Sequence, residues 1–220
     1  MTATGEMAAR MAHEIKNPLA SISGSAQMLS SVGGVDQTGR RLLDIVVDES
    51  RRLSGILDGF LVFARPGQST HAMCDLSQML KDCLALLRRS DEINADHKLV
   101  LETPDRLMLL GEEHLLRQIF WNLSRNALQA MPEGGLLKIS AERHDETAII
   151  RWRDNGVGMS EEIRHRVFEP FVTTQSKGTG LGLAVVYSAV QEHGGSVDIV
   201  SAIGRGTTVT VQLPSVLGEA

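Results

Sequence analysis

The sequence predicts an α+β protein in which a helical hairpin precedes an α/β domain. Residues up to 66 carry apolar side chains at the three- and four-residue steps of amphipathic helices. Pro66 and Gly67 end that pattern. The remaining residues alternate helix-like stretches with short runs typical of strands, an order that favours a mixed sheet covered on one face by helices. We therefore expect two domains, residues 1–66 and 67–220.

Composition narrows the class of protein. The chain has 220 residues, of which 42% are hydrophobic, enough for a buried core in one or two domains. Residues 1–66 contain equal numbers of acidic and basic side chains, so the net charge of −5 belongs to the second domain, which argues against nucleic acid as a partner. The sequence contains no run of the ~18 apolar residues typical of a membrane helix. Cys74 and Cys83 lack metal-ligand spacing, and we expect a cytoplasmic protein with reduced cysteines.

Two apolar seams define the predicted hairpin. A turn rich in glycine, Ser30–Gly39, separates them. Two helices cannot bury both seams alone, so we expect a homodimer that forms an antiparallel four-helix bundle. A helical linker that only dimerises is the alternative. The seam residues are Ala8, Ala12, Ile15, Leu19, Ile22, Ala26 and Leu29 in the first helix, and Leu42, Val46, Leu53, Ile56, Phe60 and Phe63 in the second.

The first helix contains a cluster of polar side chains opposite its seam. Ile15 belongs to the seam, so His13, Glu14 and Asn17 fall on the outer face, with His13 and Asn17 one turn apart. An exposed imidazole can act as a nucleophile while a neighbouring carboxylate accepts the proton of its other ring nitrogen. Pro18 should bend the helix just beyond the histidine. Each residue alone has an ordinary surface interpretation, but the combination favours a nucleophilic histidine.

Residues 67–220 contain four predicted helices and six predicted strands. Asp75 and Ser160 are the expected N-caps of the first and third helices. The helices are predicted at residues 76–89, 112–131, 160–167 and 181–193, and the strands at 98–102, 106–110, 136–142, 147–153, 196–201 and 207–213.

Two motifs in this domain suggest groups that contact a nucleotide. Asn122 and Asn126 lie four residues apart on one helix, so their carboxamides share a face where an amide oxygen could bind Mg²⁺ that also holds phosphate oxygens. Local hydrogen bonding is the alternative for this pair. Asp154 follows a strand and could accept a hydrogen bond from an exocyclic amine, while Gly156 and Gly158 would let a flat ring approach the backbone. An ordinary Asp-Asn-Gly turn is the alternative here.

A glycine-rich segment leads into the last predicted helix. Backbone N–H groups at a helix start favour an anion, and a nearby lysine adds positive charge. The spacing matches neither the P-loop nor the dinucleotide-binding fingerprint. The polar residues Thr173-Thr174-Gln175-Ser176 and Thr179 are expected to form a mobile lid over the nucleotide. Phe168-Glu-Pro-Phe171 lies further upstream, with a hydrophobic anchor for a loop as its alternative. The glycine-rich segment comprises Lys177, Gly178, Thr179, Gly180, Leu181 and Gly182.

These motifs, in this order, resemble the H, N, G1, F and G2 boxes of the sensor histidine kinases of two-component systems. The similarity extends from about Gly5 to Leu213, and His-Glu-Ile-Lys-Asn-Pro with Asn-Ala-Leu-Gln-Ala is most similar to the nitrogen-regulation type. The resemblance implies a dimeric four-helix bundle followed by an α/β sandwich of the GHKL (Bergerat) ATPase type. It also implies ATP and Mg²⁺ as cofactors and the receiver domain of a response regulator as partner.

The resemblance also assigns roles to residues. His13 would accept the phosphoryl group, Glu14 its proton, and Asn17 would orient a water that dephosphorylates the partner. Asn126 would hold Mg²⁺, Asn122 the phosphates, and Asp154 the adenine amine. The glycines of the two loops would shape the adenine site, hinge the lid and contact phosphates; they are Gly156 and Gly158, and Gly178, Gly180 and Gly182.

One departure from related ATPases concerns Asn122. The gyrase, HSP90 and mismatch-repair relatives of this nucleotide domain have a glutamate there, which acts as general base for water. Asn122 has no useful basicity, so transfer to His13 is favoured over hydrolysis. A phosphatase-dominant protein and a nucleotide-dependent binding module without phosphotransfer are the rival functions. Domain motion near Arg65-Pro66-Gly67 would bring His13 to the nucleotide.

Overall fold

A computed structural model describes residues 3–31, 35–64, 71–173 and 179–215. In the hairpin, the side chains of only part of the residues are described, and those of His13 and Glu14 are not among them. The elements in chain order are α1 (Ala3–Ser31), α2 (Gln37–Ala64), β1 (Ala72–Asp75), α3 (Leu76–Leu87), β2 (His97–Glu102), β3 (Met108–Gly111), α4 (Glu113–Gln129), β4 (Gly135–His144), β5 (Thr147–Asp154), α5 (Glu161–Arg166), α6 (Gly182–Glu192), β6 (Ser196–Ser201) and β7 (Thr207–Pro214).

Helices α1 and α2 form the predicted hairpin, with a shorter connection than expected. α1 continues through Pro18 to Ser31, and α2 begins at Gln37. Asp36 caps α2, because its Oδ1 accepts a hydrogen bond of 2.7 Å from the N–H of Gly39. The assignment of Gly39 to the turn was therefore wrong: this glycine lies in the first turn of the second helix.

The first apolar seam divides into two sets within one protomer. Leu19 and Ala26, seven residues apart, are buried. Ile15, Ile22 and Leu29, also seven residues apart, are exposed. A heptad seam therefore packs against α2 with one set and leaves the other set open.

Five strands form the main sheet in the order β2-β4-β5-β7-β6. β2 runs parallel to β4, and every other neighbouring pair is antiparallel, as expected for a mixed sheet. β1, which the sequence did not predict, pairs with β3 in a separate two-stranded ribbon. The strand predicted at residues 106–110 therefore lies outside the main sheet.

The core lies between this sheet and the helices α3, α4 and α6. Alternate side chains of β4 and β5 are buried, including Leu137 and Ile150, and Leu80, Phe120 and Val186 from the helices are fully buried against them. This one-sided burial confirms the α+β class and places the carboxyl end of β5 beside the end of α4. In the part of the chain that the structure describes, no helix is long and apolar enough to span a bilayer.

Candidate functional site

Asp154, the last residue of β5, lies at the centre of the candidate site. Its side chain is buried, and Oδ1 accepts hydrogen bonds from the N–H groups of Gly156 (2.9 Å) and Thr207 (3.1 Å). Burial raises the pKa of this carboxyl, and three backbone N–H groups, those of Gly156, Thr207 and Asp154 itself, oppose that rise. Both hydrogen bonds that the described residues donate to Asp154 end on Oδ1, which leaves Oδ2 as an acceptor for a ligand amine.

The loop after Asp154 requires its glycines because backbone lies directly against it. A Cβ at Gly156 would overlap the carbonyl of Ala130, at the end of α4. A Cβ at Gly158 would overlap the carbonyl of Ala202, and Gly158 also has a positive φ of 65°. The loop is therefore held between the end of α4 and the turn that joins β6 to β7.

The β6–β7 turn is a part of the site that the sequence interpretation did not include. The N–H of Thr207 donates to Asp154, and the N–H of Gly204 donates to the carbonyl of Val157 (2.8 Å). Ser201 Oγ accepts a hydrogen bond of 2.9 Å from the N–H of Met159. From the sequence, residues 196–201 and 207–213 were predicted as the two strands on either side of this turn. The hydroxyl residues next to the turn, Ser201 and Thr207, were the signal of a further role.

Asn122 and Asn126 lie side by side on α4 and face the start of α6. A Cβ built on Gly182 would be 3.2 Å from Asn122 Oδ1 and 3.8 Å from Asn126 Nδ2. Nδ2 of Asn122 donates to the carbonyl of Gln118 (3.0 Å), which turns its oxygen toward α6. The amide pair and the first residues of α6 therefore share one surface.

The residues before α6 are only partly described. Lys177 and Gly178, together with most of the predicted lid, lie outside the described residues. Thr179 Oγ1 accepts from the N–H of Leu181 at 3.4 Å, and Leu181 itself is buried. Gly180 has a positive φ of 67°, and its carbonyl accepts a hydrogen bond of 2.9 Å from the N–H of Phe171.

His193 fixes the far end of α6 to the start of α4. Its Nε2 accepts a hydrogen bond of 3.0 Å from the N–H of Glu112, and Nδ1 lies 2.7 Å from the carbonyl of Ala189. This pattern requires the proton on Nδ1. α6 therefore runs antiparallel to α4, with Gly182 beside the asparagine pair and His193 beside Glu112. The sequence interpretation treated His193 only as the end of a helix.

The amide oxygen of Asn126 is a type of ligand that suits Mg²⁺. Mg²⁺ is commonly held by one or two protein oxygens with substrate phosphates and water, and an amide oxygen is such a donor. Among the described residues there is no group of three or more His, Cys, Asp or Glu side chains that could hold a metal without a phosphate ligand.

The hairpin contributes a separate surface. His13 and Glu14 lie in α1, and the side chain of Asn17, one turn further on, is exposed. α2 contacts α6, which carries Gly182 at its start. The structure thus gathers Asn122, Asn126, Asp154 and the described glycines in the second domain, and leaves the polar cluster of α1 on the hairpin.

Two family models match the chain. Residues 3–69 match the "His Kinase A (phospho-acceptor) domain", and residues 111–217 match the "Histidine kinase-, DNA gyrase B-, and HSP90-like ATPase".

Curated relatives match almost the entire chain. Sporulation kinase D of Bacillus subtilis is 37% identical over 96% of this chain, and the sensor histidine kinase ZraS of Escherichia coli is 31% identical over 97%. These alignments cover 42% and 46% of the relatives' own lengths. The chain therefore spans less than half of these two proteins.

Solved structures have the same fold. Full-length ShkA in complex with AMPPNP has a TM-score of 0.80 at 24% identity, covering 99% of this chain and 47% of that one. The mycobacterial sensor histidine kinase MprB has a TM-score of 0.60 at 27% identity, covering 66% of this chain and 98% of that one.

Proposed function

Because the chain belongs to the histidine kinases, with a His Kinase A domain followed by a GHKL-type ATPase domain, we propose that it phosphorylates its own His13 with Mg-ATP. The phosphoryl group then passes to an aspartate on the receiver domain of a response regulator. The observation that carries this proposal is the assembly of Asp154, Asn122, Asn126 and Gly182 around the end of α4 and the start of α6.

The residues proposed to contact the base and those proposed to contact the phosphates lie at separate positions along α4. Gly156, beside Asp154, packs on Ala130, whereas Asn122 lies eight residues earlier on α4. At 1.5 Å per residue that separation is about 12 Å along the helix. The adenine amine would donate to Oδ2 of Asp154, and the phosphates would lie between the asparagine pair and the first N–H groups of α6. The sequence adds Lys177 as a proposed contact of the same phosphates.

Mg²⁺ would be held by Asn126 and the nucleotide phosphates, and when bound it would neutralise charge that develops on the phosphate oxygens. Asn122 would contact the phosphates. Its amide oxygen is not basic, and its Nδ2 is already hydrogen-bonded to the carbonyl of Gln118. Neither the amide oxygen nor Nδ2 of Asn122 can remove a proton from water, so hydrolysis lacks a general base at this position.

The transfer step uses the imidazole of His13 as nucleophile. One ring nitrogen forms a bond to the γ-phosphorus as the bond from that phosphorus to the β,γ-bridging oxygen breaks, and ADP leaves with that oxygen. The proton on the other ring nitrogen passes to Glu14. We place the domain boundary at residues 66 and 67, as the sequence predicts, and a movement of one domain relative to the other brings His13 to the nucleotide.

A second copy of the chain would cover the open seam of the hairpin. Seven apolar side chains along it are 38–59% exposed in one protomer: Ile15, Ile22, Leu29, Leu42, Ile45, Val46 and Leu53. Full burial of one such side chain contributes about 1.5–3 kcal/mol. The matching His Kinase A domain and this open seam together support a homodimer built as a four-helix bundle.

A phosphatase activity toward the phosphorylated regulator is the second candidate function. The exposed side chain of Asn17 favours it, since this carboxamide follows His13 by one helical turn and could orient a water. Replacing Asn17 with Ala would then lengthen the lifetime of the phosphorylated receiver without reducing labelling of His13. An unchanged lifetime would remove this role.

The motifs of the H and N boxes further support a kinase of the nitrogen-regulation type, which we propose acts in the cytoplasm.

Labelling with γ-³²P-ATP tests the main proposal. We expect label on the protein that is lost in acid and retained in alkali, as for a phosphohistidine. His13→Ala should abolish this label, whereas His114→Ala, a change at an exposed histidine of α4, should retain it. Acid-labile label that persists in His13→Ala would refute the assignment.

A further inference from the structure

Ser201, at the end of β6, joins the two segments that surround Asp154. Its Oγ accepts a hydrogen bond from the N–H of Met159 (2.9 Å) and donates to the carbonyl of Gly206 (3.0 Å). The same oxygen lies 2.9 Å from Oγ1 of Thr207. One hydroxyl thus connects Met159, at the end of the loop that follows Asp154, to Gly206 and Thr207, at the end of the β6–β7 turn.

The proton count at Ser201 fixes the direction of these bonds. A serine hydroxyl has one proton and two acceptor sites. The carbonyl of Gly206 can only accept, so the Ser201 proton is directed to it. The hydroxyl of Thr207 must then donate to Ser201, and the amide of Met159 takes the second acceptor site. Every hydrogen-bonding position of Ser201 is occupied.

This connection reaches Asp154 through one further bond. The N–H of Thr207, adjacent to the carbonyl that Ser201 holds, donates to Oδ1 of Asp154. Gly206 lies so close that a Cβ on it would overlap the carbonyl of Asp154. The orientation of the carboxylate therefore depends on the position of the turn. Ser201 connects that turn to the loop after Asp154 by its hydrogen bonds to Gly206 and Met159.

We propose that Ser201 is a positioning residue that makes the base site selective for a 6-aminopurine over a 6-oxopurine. A 6-amino group donates to the free oxygen of Asp154, whereas a 6-oxo group presents an acceptor to that carboxylate. Such discrimination needs the carboxylate to be held within about 0.5 Å of its productive position. This inference rests on the proposed role of Asp154 as the group that contacts adenine.

Two alternatives predict different results. If Ser201 only stabilises the domain, its loss lowers the melting temperature and weakens all nucleotides by the same factor. If Ser201 positions Asp154, its loss weakens adenine nucleotides more than guanine nucleotides, because only the adenine nucleotides gain from a correctly oriented carboxylate. The ratio of the two affinities therefore separates a positioning role from a general one.

The experiment measures the dissociation constants of ADP and GDP for the full chain by displacement of a fluorescent nucleotide in the presence of Mg²⁺. Ser201→Ala should raise the ADP constant about 10-fold, the loss expected for one or two hydrogen bonds, and leave that for GDP nearly unchanged. Ser201→Cys fills the same space with a weak hydrogen-bonding group and should show the same shift. Ser201→Thr restores a hydroxyl and should return the ratio toward that of the wild type.

Ser196→Ala, at the exposed start of the same strand, is the matched control and should keep the wild-type ratio. An ADP-to-GDP ratio that is unchanged in Ser201→Ala and Ser201→Cys would overturn the inference, even if both proteins melt earlier. A wild-type chain that binds ADP and GDP equally would instead contradict the proposed adenine site, so the two failures are distinguishable.

Discussion

The hairpin (α1 and α2) and the nucleotide domain (residues 71–215) bury their apolar side chains in different ways. In the nucleotide domain, Leu137, Phe120 and Val186 are fully enclosed by the chain itself. In the hairpin, Ile22 and Leu42 remain about half exposed. A sheet covered by three helices can close a core alone, whereas two helices cannot.

The exposed seam supports the proposal that the hairpin, and not the nucleotide domain, depends on a second copy of the chain. The nucleotide domain should be stable in one protomer, because its core is complete. The hairpin should gain much of its stability from association. The proposed site divides in the same way, since the residues proposed to contact base and phosphates belong to the self-contained domain and His13 belongs to the hairpin, whose open seam a second copy is proposed to cover.

The largest expected effect comes from a cavity in the nucleotide domain. Leu137→Ala removes a fully buried side chain of β4 and should lower the free energy of unfolding of this domain by about 2–5 kcal/mol. Urea denaturation followed by tryptophan fluorescence measures it selectively, because both tryptophans, Trp121 and Trp152, lie in this domain. The dimer measured by sedimentation should be unaffected. A parallel loss of the dimer would show that the two regions do not behave independently.

A charge in the open seam should produce the converse result. Ile22→Asp would place a carboxylate in the dimer interface and raise the dimer dissociation constant at least 10-fold, since an unpaired buried charge is costly. Sedimentation at a series of concentrations measures this change, while the tryptophan transition should stay in place. Ala20→Asp, on the opposite face of α1, serves as control. Equal weakening by both changes would contradict the assignment of the seam.

Acidification should weaken adenine nucleotides through Asp154. Burial raises the pKa of this carboxyl, so protonation of Asp154 stabilises the folded protein without nucleotide relative to the unfolded chain. That stabilisation is lost as pH rises through the raised pKa. The adenine amine prefers the ionised form. ADP affinity should therefore fall as pH decreases through that pKa. Asp154→Asn should bind ADP weakly with this pH dependence removed, and a dependence that persists in the variant would assign it to another group.

A glycine-to-alanine substitution can be compared in the two regions, and the smallest effect is expected in the hairpin. Gly24→Ala adds a methyl group on α1 with no atom within 4 Å and should stabilise the hairpin by about 0.5–1 kcal/mol. Gly206→Ala should destabilise the nucleotide domain, because the residue has a φ of 74° and abuts Asp154. Thermal unfolding by circular dichroism measures both. Destabilisation by Gly24→Ala would indicate that a partner occupies the space beside it.

Local signals in the sequence predicted the elements well. The N-caps Asp75 and Ser160 are confirmed, since their side chains accept hydrogen bonds from Gln78 and Ile163. Strand β6 has the predicted bounds, Ser196–Ser201. These features depend on residues close together in the chain, where capping and alternation determine the structure. The four-residue strand β1 was missed because so short a run has no clear alternation.

The site was predictable only in part, for the same reason. Asp154 and the asparagine pair belong to short motifs, but the residues that hold them are distant in sequence. Thr207 contacts Asp154 across 53 positions, and His193 contacts Glu112 across 81. Such contacts arise from strand order and helix packing, which single-sequence patterns do not specify.

In the proposed reaction, a nucleotide site without a general base at Asn122 transfers the γ-phosphoryl group to His13 and not to water. The most direct test compares phosphate release with protein labelling from γ-³²P-ATP in the wild type and in His13→Ala. We expect labelling to exceed phosphate release in the wild type, and His13→Ala to lose the label without a matching gain in hydrolysis. Phosphate release by His13→Ala at or above the wild-type rate of labelling would contradict the account.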